Sequence, residues 1–221
     1  MNAAKDCTLQ EKLLRCAMAL ILAAGALLAS VAASPAYAAP STVDVSIGGK
    51  IPYGGFATTW MSADGNIAYC AEPSSPTPAA GSYSTSPVPN ADVTAAIWYS
   101  FGSPGFDASM FPGSWYDGGG WDDAKYAAAS HVLIAHAYSG SESAATHGTS
   151  SEFASWAKSE LIGGTFAKMK AGTGKVSAGF EAFCVRTGGG SQTLVSFSWS
   201  AGGVKVAKTD SEAGAEPQGD A

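Results

Sequence analysis

Apolar and polar residues alternate in two parts of the chain, which predicts β-strands on both sides of a helical middle segment. In residues 42–51, Val43, Val45 and Ile47 alternate with polar residues, and Gly48-Gly49 indicates a bulge in that strand. A turn is predicted between Ala63 and Asn66, because Gly65 and Asn66 tolerate positive φ. Further strands are predicted at residues 56–60, 66–70, 176–185 and 191–199.

The middle of the chain has the spacing of helices instead. Asn90 can cap a helix over residues 91–101, and Asp122 precedes the clearest one, over residues 123–138. The sequence Thr-Ser-Ser-Glu at 149–152 matches a capping box and begins a third helix, which Gly163-Gly164 should weaken or end. Strands that flank three helices predict an α+β domain.

Two long segments of the chain predict ordered loops. Residues 72–90 contain five prolines, whose fixed φ angles suit a loop rather than a flexible linker. Residues 102–121 are rich in glycine and aromatic residues, and we expect the rings to hold this loop in place.

The N-terminal segment has the features of a secretory signal peptide. Lys5, Lys12 and Arg15 precede an apolar run over residues 16–33, and Ala36-Tyr37-Ala38 is a small-x-small cleavage site. The alternative is a retained transmembrane anchor, since the run is near the lower length limit for a span. Pro35 and the cleavage site favour a signal peptide at residues 1–38, and therefore export.

Charge limits the partners of the exported part. The chain has 12 Lys and Arg against 18 Asp and Glu, and the predicted leader contains three of the former and two of the latter, so the exported part has a formal net charge of −7. This balance argues against nucleic acid or an anionic membrane as a partner. We expect no cofactor. We also expect no metal site, because His131 and His136 are five residues apart on a predicted helix and point to different faces.

Two cysteines, Cys70 and Cys184, remain after the predicted leader is removed. In an oxidising compartment they can form a disulfide, and Cys70 can alternatively be a reactive thiol or a buried free thiol. The sequence leaves these alternatives open.

Four segments of the chain have recognisable motifs: Tyr-Cys-Ala-Glu-Pro at 69–73, Ala-Ile-Trp-Tyr at 96–99, the helix segment at 130–138, and Thr-Gly-Gly at 187–189 followed by Ser-Gln-Thr-Leu at 191–194. Together they resemble the thioester (TQXA) domains of Gram-positive surface adhesins, above all the N-terminal domain of VaFE-repeat and SpaA-like surface-anchored proteins. It implies an α+β thioester-domain-like fold over residues 39–202.

The C-terminal segment, residues 203–221, resembles the start of a Cna-B-type (SpaA-like, prealbumin-like) repeat. In that family the lysine that matches Lys208 forms an isopeptide bond with a downstream Asn. We therefore expect that the chain is the N-terminal part of a longer, wall-anchored protein.

In thioester domains a cysteine thiol attacks a glutamine side-chain amide and ammonia leaves. The resemblance places Cys70 at the cysteine position and His131 at the glutamine position, and imidazole has no acyl carbon. Gln192 falls on a closing strand, where Gln is a usual structural residue, and Gln218 lies in the tail. The sequence therefore predicts a non-catalytic adhesion domain without a thioester, which binds a host or neighbouring-cell surface protein or glycan and is not an enzyme.

His131 itself has two interpretations at this stage. It is a hydrogen-bonded helix residue next to Cys70, or it forms a Cys-His pair that lowers the pKa of the thiol.

Two other functions are open at the level of sequence. Trp115, Tyr116 and Trp121 form an aromatic set in a Gly-rich loop that can present flat faces to sugar rings, which predicts a glycan-binding module, unless the rings pack onto the core. A secreted cysteine hydrolase would need Cys70, a histidine and an acid such as Asp122 or Asp123.

Overall fold

The computed structural model describes residues 39–200. The predicted signal peptide at 1–38 and the predicted repeat at 203–221, with Lys208, lie outside the described residues. Within them, strands and helices form an α+β domain, as the sequence predicts.

Six antiparallel strands form a closed barrel in which the neighbours run β1-β2-β3-β6-β5-β4. Closure leaves no free sheet edge among these strands, and the space inside is filled by side chains. The strands are β1 (Thr42–Tyr53), β2 (Phe56–Ala63), β3 (Asn66–Cys70), β4 (Gly81–Pro87), β5 (Phe180–Arg186) and β6 (Leu194–Trp199).

The predicted bulge in β1 is present and changes which face of the strand is buried. The register with β2 shifts between Ile47 and Lys50, at Gly48-Gly49. Val43 and Val45 pack in the cluster inside the barrel, whereas Ile51 and Tyr53 pack in the main core with the helices. The extra residue at the bulge makes the odd-numbered side chains of β1 change from one face of the sheet to the other. A single strand therefore contributes side chains both to the inside of the barrel and to the main core.

Strand β4 lies inside the segment that the sequence predicted to be a loop throughout. It pairs with β1 and β5 and closes the barrel. Its side chains are mostly exposed or half-buried, so it lacks the apolar alternation that would have revealed it. Backbone hydrogen bonds to a strand on each side hold β4 in place. Such pairing cannot be predicted from the order of apolar and polar side chains.

The helices pack on the outside of the barrel. They are α1 (Ala91–Trp98), α2 (Asp123–Ser139), α3 (Glu142–Ala145), α4 (Ser151–Trp156), a π-helical segment (Ala157–Phe166) and α5 (Ala167–Ala171), with 3₁₀ turns at Ala108–Met110 and Thr173–Lys175. Asn90 and Asp122 cap α1 and α2 as predicted. Ser150, rather than Thr149, caps α4.

The helix that begins at Ser151 does not end at Gly163-Gly164. It continues through the π-helical segment into α5, and both glycines lie inside the wider turns. Leu161, Phe166 and Met169 are buried on this helix, and their packing outweighs the low helix propensity of two glycines.

Candidate functional site

Cys70 lies at the end of β3, where it packs with the side chains inside the barrel. Its side chain is 2% exposed, and its backbone pairs with Leu194 at the start of β6. Strand β6 thus brings the residues just before it to the same end of the barrel as Cys70.

Gln192 is held beside Cys70 by the proline-rich segment that follows β3. Its backbone N–H donates to the carbonyl of Pro76 at 3.1 Å. The next residue, Thr193, donates its N–H to Glu72 at 2.9 Å and accepts from the N–H of Ala71 at 2.9 Å. These bonds fix the backbone of Gln192, and its buried side chain, which donates to Thr77 Oγ1 at 3.5 Å, lines the same cavity as the thiol. A hydrogen bond from Gln192 acts to lower the pKa of Cys70.

Thr58 and His131 complete the surroundings of the thiol. Thr58 Oγ1 lies 3.8 Å from Cys70 Sγ and 3.2 Å from His131 Nδ1. Thr58 comes from β2 and His131 from α2, so a strand and the long helix meet here. All three side chains are buried.

These residues line a cavity of about 50 Å³ at the end of the barrel. Its wall is formed by Phe56, Ala57, Thr58, Cys70, Pro73, Ser75, Thr77, His131 and Gln192. Two buried polar atoms of this set, His131 Nε2 and Gln192 Oε1, have no hydrogen-bond partner within the described part of the chain. A buried polar atom without a hydrogen bond costs free energy of folding. The two atoms therefore mark a place where we expect a bound ligand, a water molecule or a chemical role for these side chains.

Burial keeps the ionisable groups of the cavity uncharged. It raises the pKa of Cys70 to about 12, against the opposing effect of hydrogen bonds from Thr58 and Gln192. It lowers the pKa of His131 to about 4. At neutral pH the cavity therefore holds a thiol, an amide and a neutral imidazole, and no thiolate.

A comparison with family models finds the thioester domain over residues 42–164, more than half of the chain. The chain belongs to the thioester-domain family. Searches of curated proteins and of solved structures gave no match. Thioester domains are typical of surface-anchored proteins, and no helix within residues 39–200 is long and apolar enough to cross a membrane.

The structure corrects the prediction for Gln192 in this thioester domain. Gln192 was expected to be an ordinary strand residue, but it precedes β6 and shares the cavity with Cys70. His131 and Gln192 both line the cavity of Cys70, so the buried thiol has a glutamine side chain as well as an imidazole in its surroundings.

The disulfide alternative for Cys70 and Cys184 is not supported. Both thiols are free. Their strands are separated by β6, which puts the backbones about 10 Å apart, whereas a disulfide needs Cα atoms within about 7 Å. Cys70 is opposite Leu194 and Cys184 is opposite Val195, so the two side chains also lie on opposite faces of the sheet.

The aromatic loop of the thioester domain does not form a flat exposed platform. Trp115 is buried, and its ring meets that of Trp121 edge-on, with centroids 5.1 Å apart and planes at 76°. Trp121 stacks on Tyr126 and donates its indole N–H to the carbonyl of Pro112 at 2.8 Å. Tyr116 is half-buried against Phe153. These rings hold the loop on the core, as the alternative interpretation expected.

A hydrolase triad is not assembled around Cys70. Asp122 and Asp123 are exposed at the N-terminus of α2, where Asp122 caps the helix and pairs with Lys125 at 3.7 Å. Neither aspartate lines the cavity of Cys70. The thiol is linked to His131 through Thr58 rather than by direct contact, and neither aspartate is placed to orient the imidazole.

The three histidines do not converge. His131 lines the cavity of Cys70, His136 lines a separate groove with Phe166 and Lys170, and His147 lies beside Phe56. No group of three His, Cys, Asp or Glu side chains able to hold a metal occurs in residues 39–200.

Sequence reasoning missed Thr58 and underrated Gln192. Thr58 lies in the unremarkable run Ala-Thr-Thr-Trp, and nothing in that run points to a site. Gln192 had a usable signal, because among the glutamines of the chain it alone falls within the segments that carry the family resemblance.

Proposed function

We propose that this thioester domain forms an internal thioester between Cys70 and Gln192 and uses it to attach covalently to an amine on a surface partner. The observation that carries the proposal is the buried Gln192 amide, which lines the same cavity as the Cys70 thiol and acts on it as a hydrogen-bond partner. This differs from the expectation of a purely non-covalent adhesion domain.

The chemistry needs only these two side chains. Cys70 Sγ attacks the side-chain carbonyl carbon of Gln192, an S–C bond forms, and the C–N bond breaks. The thiol proton leaves with the amide nitrogen as ammonia. A primary amine on the partner then attacks the same carbon, an amide bond forms, and Cys70 returns to the thiol form.

Proximity supports the first step. Holding a nucleophile and a carbonyl in contact can replace an encounter in solution by an effective concentration of about 10⁵ M or more. The backbone bonds of Gln192 and Thr193 to the segment after β3 supply that restraint.

Burial supports the persistence of the product. The cavity has room for about one or two water molecules. A thioester in this place would meet little water, so hydrolysis would be slow relative to capture of an amine that is brought to the site.

The biological setting follows from the family and from the sequence. We infer that residues 1–38 direct export and that the domain acts at the surface of a Gram-positive cell wall as the outer part of a longer anchored protein. Its partner would be a host or neighbouring-cell protein with an accessible lysine. Each chain would use its thioester once, so the domain is not a turnover enzyme and needs no cofactor.

The mass of the intact protein tests this function. The wild-type protein should be lighter than its sequence by one ammonia, and methylamine should add its full mass to the protein. Cys70→Ala and Gln192→Ala should each have the mass of the plain sequence and take up no methylamine.

Cys184→Ala is the matched control, because it removes the other buried thiol and should keep both mass changes. A wild-type mass equal to that of the plain sequence would contradict the proposal and favour a non-covalent adhesion domain instead.

A further inference from the structure

A continuous polar path joins the thiol of Cys70 to the imidazole of His131. Cys70 Sγ and Thr58 Oγ1 are 3.8 Å apart, and Thr58 Oγ1 and His131 Nδ1 are 3.2 Å apart. A hydroxyl both donates and accepts, so Thr58 can accept from the thiol and donate to Nδ1 at the same time.

The other nitrogen of His131, Nε2, belongs to a side chain that lines the same cavity as Gln192. When Nδ1 accepts from Thr58, Nε2 carries the proton. Nε2 is buried without a partner in residues 39–200, and so is Gln192 Oε1 in the same cavity. The imidazole and the side chain of Gln192 thus line the same cavity, in which the Gln192 amide nitrogen donates to Thr77 Oγ1 at 3.5 Å.

The ring of His131 is held in this position by its surroundings. The side chain is 1% exposed on α2, and the ring of Tyr53 packs against it with centroids 6.1 Å apart. A buried histidine with one satisfied nitrogen and one orphaned nitrogen is a poor purely structural residue, because the orphaned atom costs free energy.

We propose that His131, acting through Thr58, carries the proton during formation and aminolysis of the Cys70–Gln192 thioester. This inference rests on the proposed function and adds to it the residues that move the proton.

During formation the two nitrogens exchange roles. The thiol proton passes to Thr58 Oγ1 while the Thr58 hydroxyl proton passes to His131 Nδ1, and the S–C bond forms at Gln192. His131 Nε2 gives its proton to the amide nitrogen, which leaves as ammonia when the C–N bond breaks. The imidazole ends neutral, with its proton on Nδ1.

During aminolysis the same path runs in reverse. The incoming amine loses one proton to Nε2 as it attacks the carbonyl carbon of the thioester. Nδ1 returns its proton through Thr58 to the sulfur of Cys70 as the S–C bond breaks. No charge accumulates in the cavity at the end of either step, which suits a buried site.

Three variants test the path, with methylamine as the probe and intact mass as the readout. Thr58→Val removes the hydroxyl while keeping the side-chain shape, and Thr58→Ser keeps the hydroxyl. His131→Gln keeps hydrogen-bonding capacity but cannot take a proton. We expect Thr58→Val and His131→Gln to slow aminolysis about a hundredfold, the usual size of a lost proton-transfer group, and Thr58→Ser to remain close to wild type.

The pH profile of the wild-type protein distinguishes proton transfer from a structural role and needs no substitution. With hydroxylamine as the probe, the rate per unprotonated amine should stay level from neutral pH downwards and fall near pH 4, where His131 becomes charged. The titratable groups that face His131 are Cys70 and Tyr53, and burial raises the pKa of both, so neither titrates in this range. His131→Gln should lack the inflection.

The outcomes separate the two proposals. A wild-type protein without a thioester overturns the proposed function. A wild-type protein with a thioester, together with equal rates in Thr58→Val and Thr58→Ser, overturns only the proton path. If Thr58→Val or His131→Gln loses its near-ultraviolet circular dichroism, the wild-type profile decides, and a profile without an inflection between pH 3 and pH 6 contradicts the inference.

Discussion

Cys70 and Cys184 lie two strands apart in one barrel, and both are almost fully buried, yet their surroundings differ in kind. Cys70 shares a cavity with a hydroxyl, an imidazole and an amide. Cys184 lies on the other face of the sheet, in the main core with Val195 and Phe197. Burial raises the pKa of both thiols, to about 12 and about 11.

The difference shows that burial alone does not define a thiol's role. Both cysteines are poor nucleophiles by pKa, so neither would be selected as reactive on that ground. What separates them is a fixed acyl carbon beside Cys70. Cys184 has apolar neighbours and is suited to packing.

The largest expected contrast is in alkylation. In wild-type protein unfolded in denaturant, iodoacetamide should modify Cys184 and leave Cys70 unmodified, because a thioester has no free thiol. Treatment of the folded protein with methylamine beforehand should make Cys70 modifiable. Peptide mapping by mass spectrometry measures both, and modification of Cys70 without methylamine would contradict the contrast.

A second contrast concerns stability. A thioester would close a loop of more than about 100 residues, and a cross-link of that span stabilises the folded state by about 4 kcal/mol in the chain-entropy model. Opening it with methylamine should lower the free energy of unfolding by an amount of that order, measured by urea titration. Cys184→Ala should keep this methylamine effect, whereas Cys70→Ala should abolish it.

Lowering the pH should reduce the stability contributed by the polar cavity around Cys70 more than the stability contributed by the apolar core around Cys184. His131 has a folded-state pKa of about 4 against an ordinary value near 6.5, so the unfolded chain binds more protons between these values. Stability is fully present above about pH 6.5 and falls as pH decreases towards 4, by about 3 kcal/mol from this residue.

The measurement is the free energy of unfolding against pH in wild type and in His131→Gln. The difference between the two proteins should change over this window. A constant difference would contradict the assignment of the acid effect to His131.

The smallest expected contrast compares serine with alanine at each cysteine position. At Cys184 the serine hydroxyl enters apolar surroundings, so Cys184→Ser should be less stable than Cys184→Ala by about 1–2 kcal/mol. At Cys70 the hydroxyl meets Thr58 and Gln192, so Cys70→Ser should be at least as stable as Cys70→Ala. Urea titration of the four variants checks this, and the same order at both positions would contradict the comparison.

Much of the fold could be predicted because its signals are local. Alternation identified β1, apolar positions between turn residues identified β2, β3, β5 and β6, and the polar caps Asn90 and Asp122 identified α1 and α2. Three predicted bounds were wrong, because β5 and β6 begin later than residues 176 and 191 and α1 ends at Trp98 rather than at residue 101. Strand β4 and the helix through Gly163-Gly164 could not be predicted. The first depends on pairing with strands far along the chain, and the second on packing of Leu161 and Phe166 against the core.

The sequence alone was enough to predict five of the six strands, the helices capped by Asn90 and Asp122, the acidic balance and the thioester-domain resemblance that the family comparison bears out over residues 42–164. These properties depend on residue types and short spacings. Which groups meet Cys70 depends on the tertiary structure.

Gln192 is 122 positions away from Cys70 along the chain, and it reaches the thiol because β6 pairs with β3 and the segment after β3 binds its backbone. Thr58 and His131 arrive from β2 and α2 in the same way. These contacts between distant residues depend on how the strands and α2 pack in the folded domain. The spacing of residues along the sequence does not show that packing.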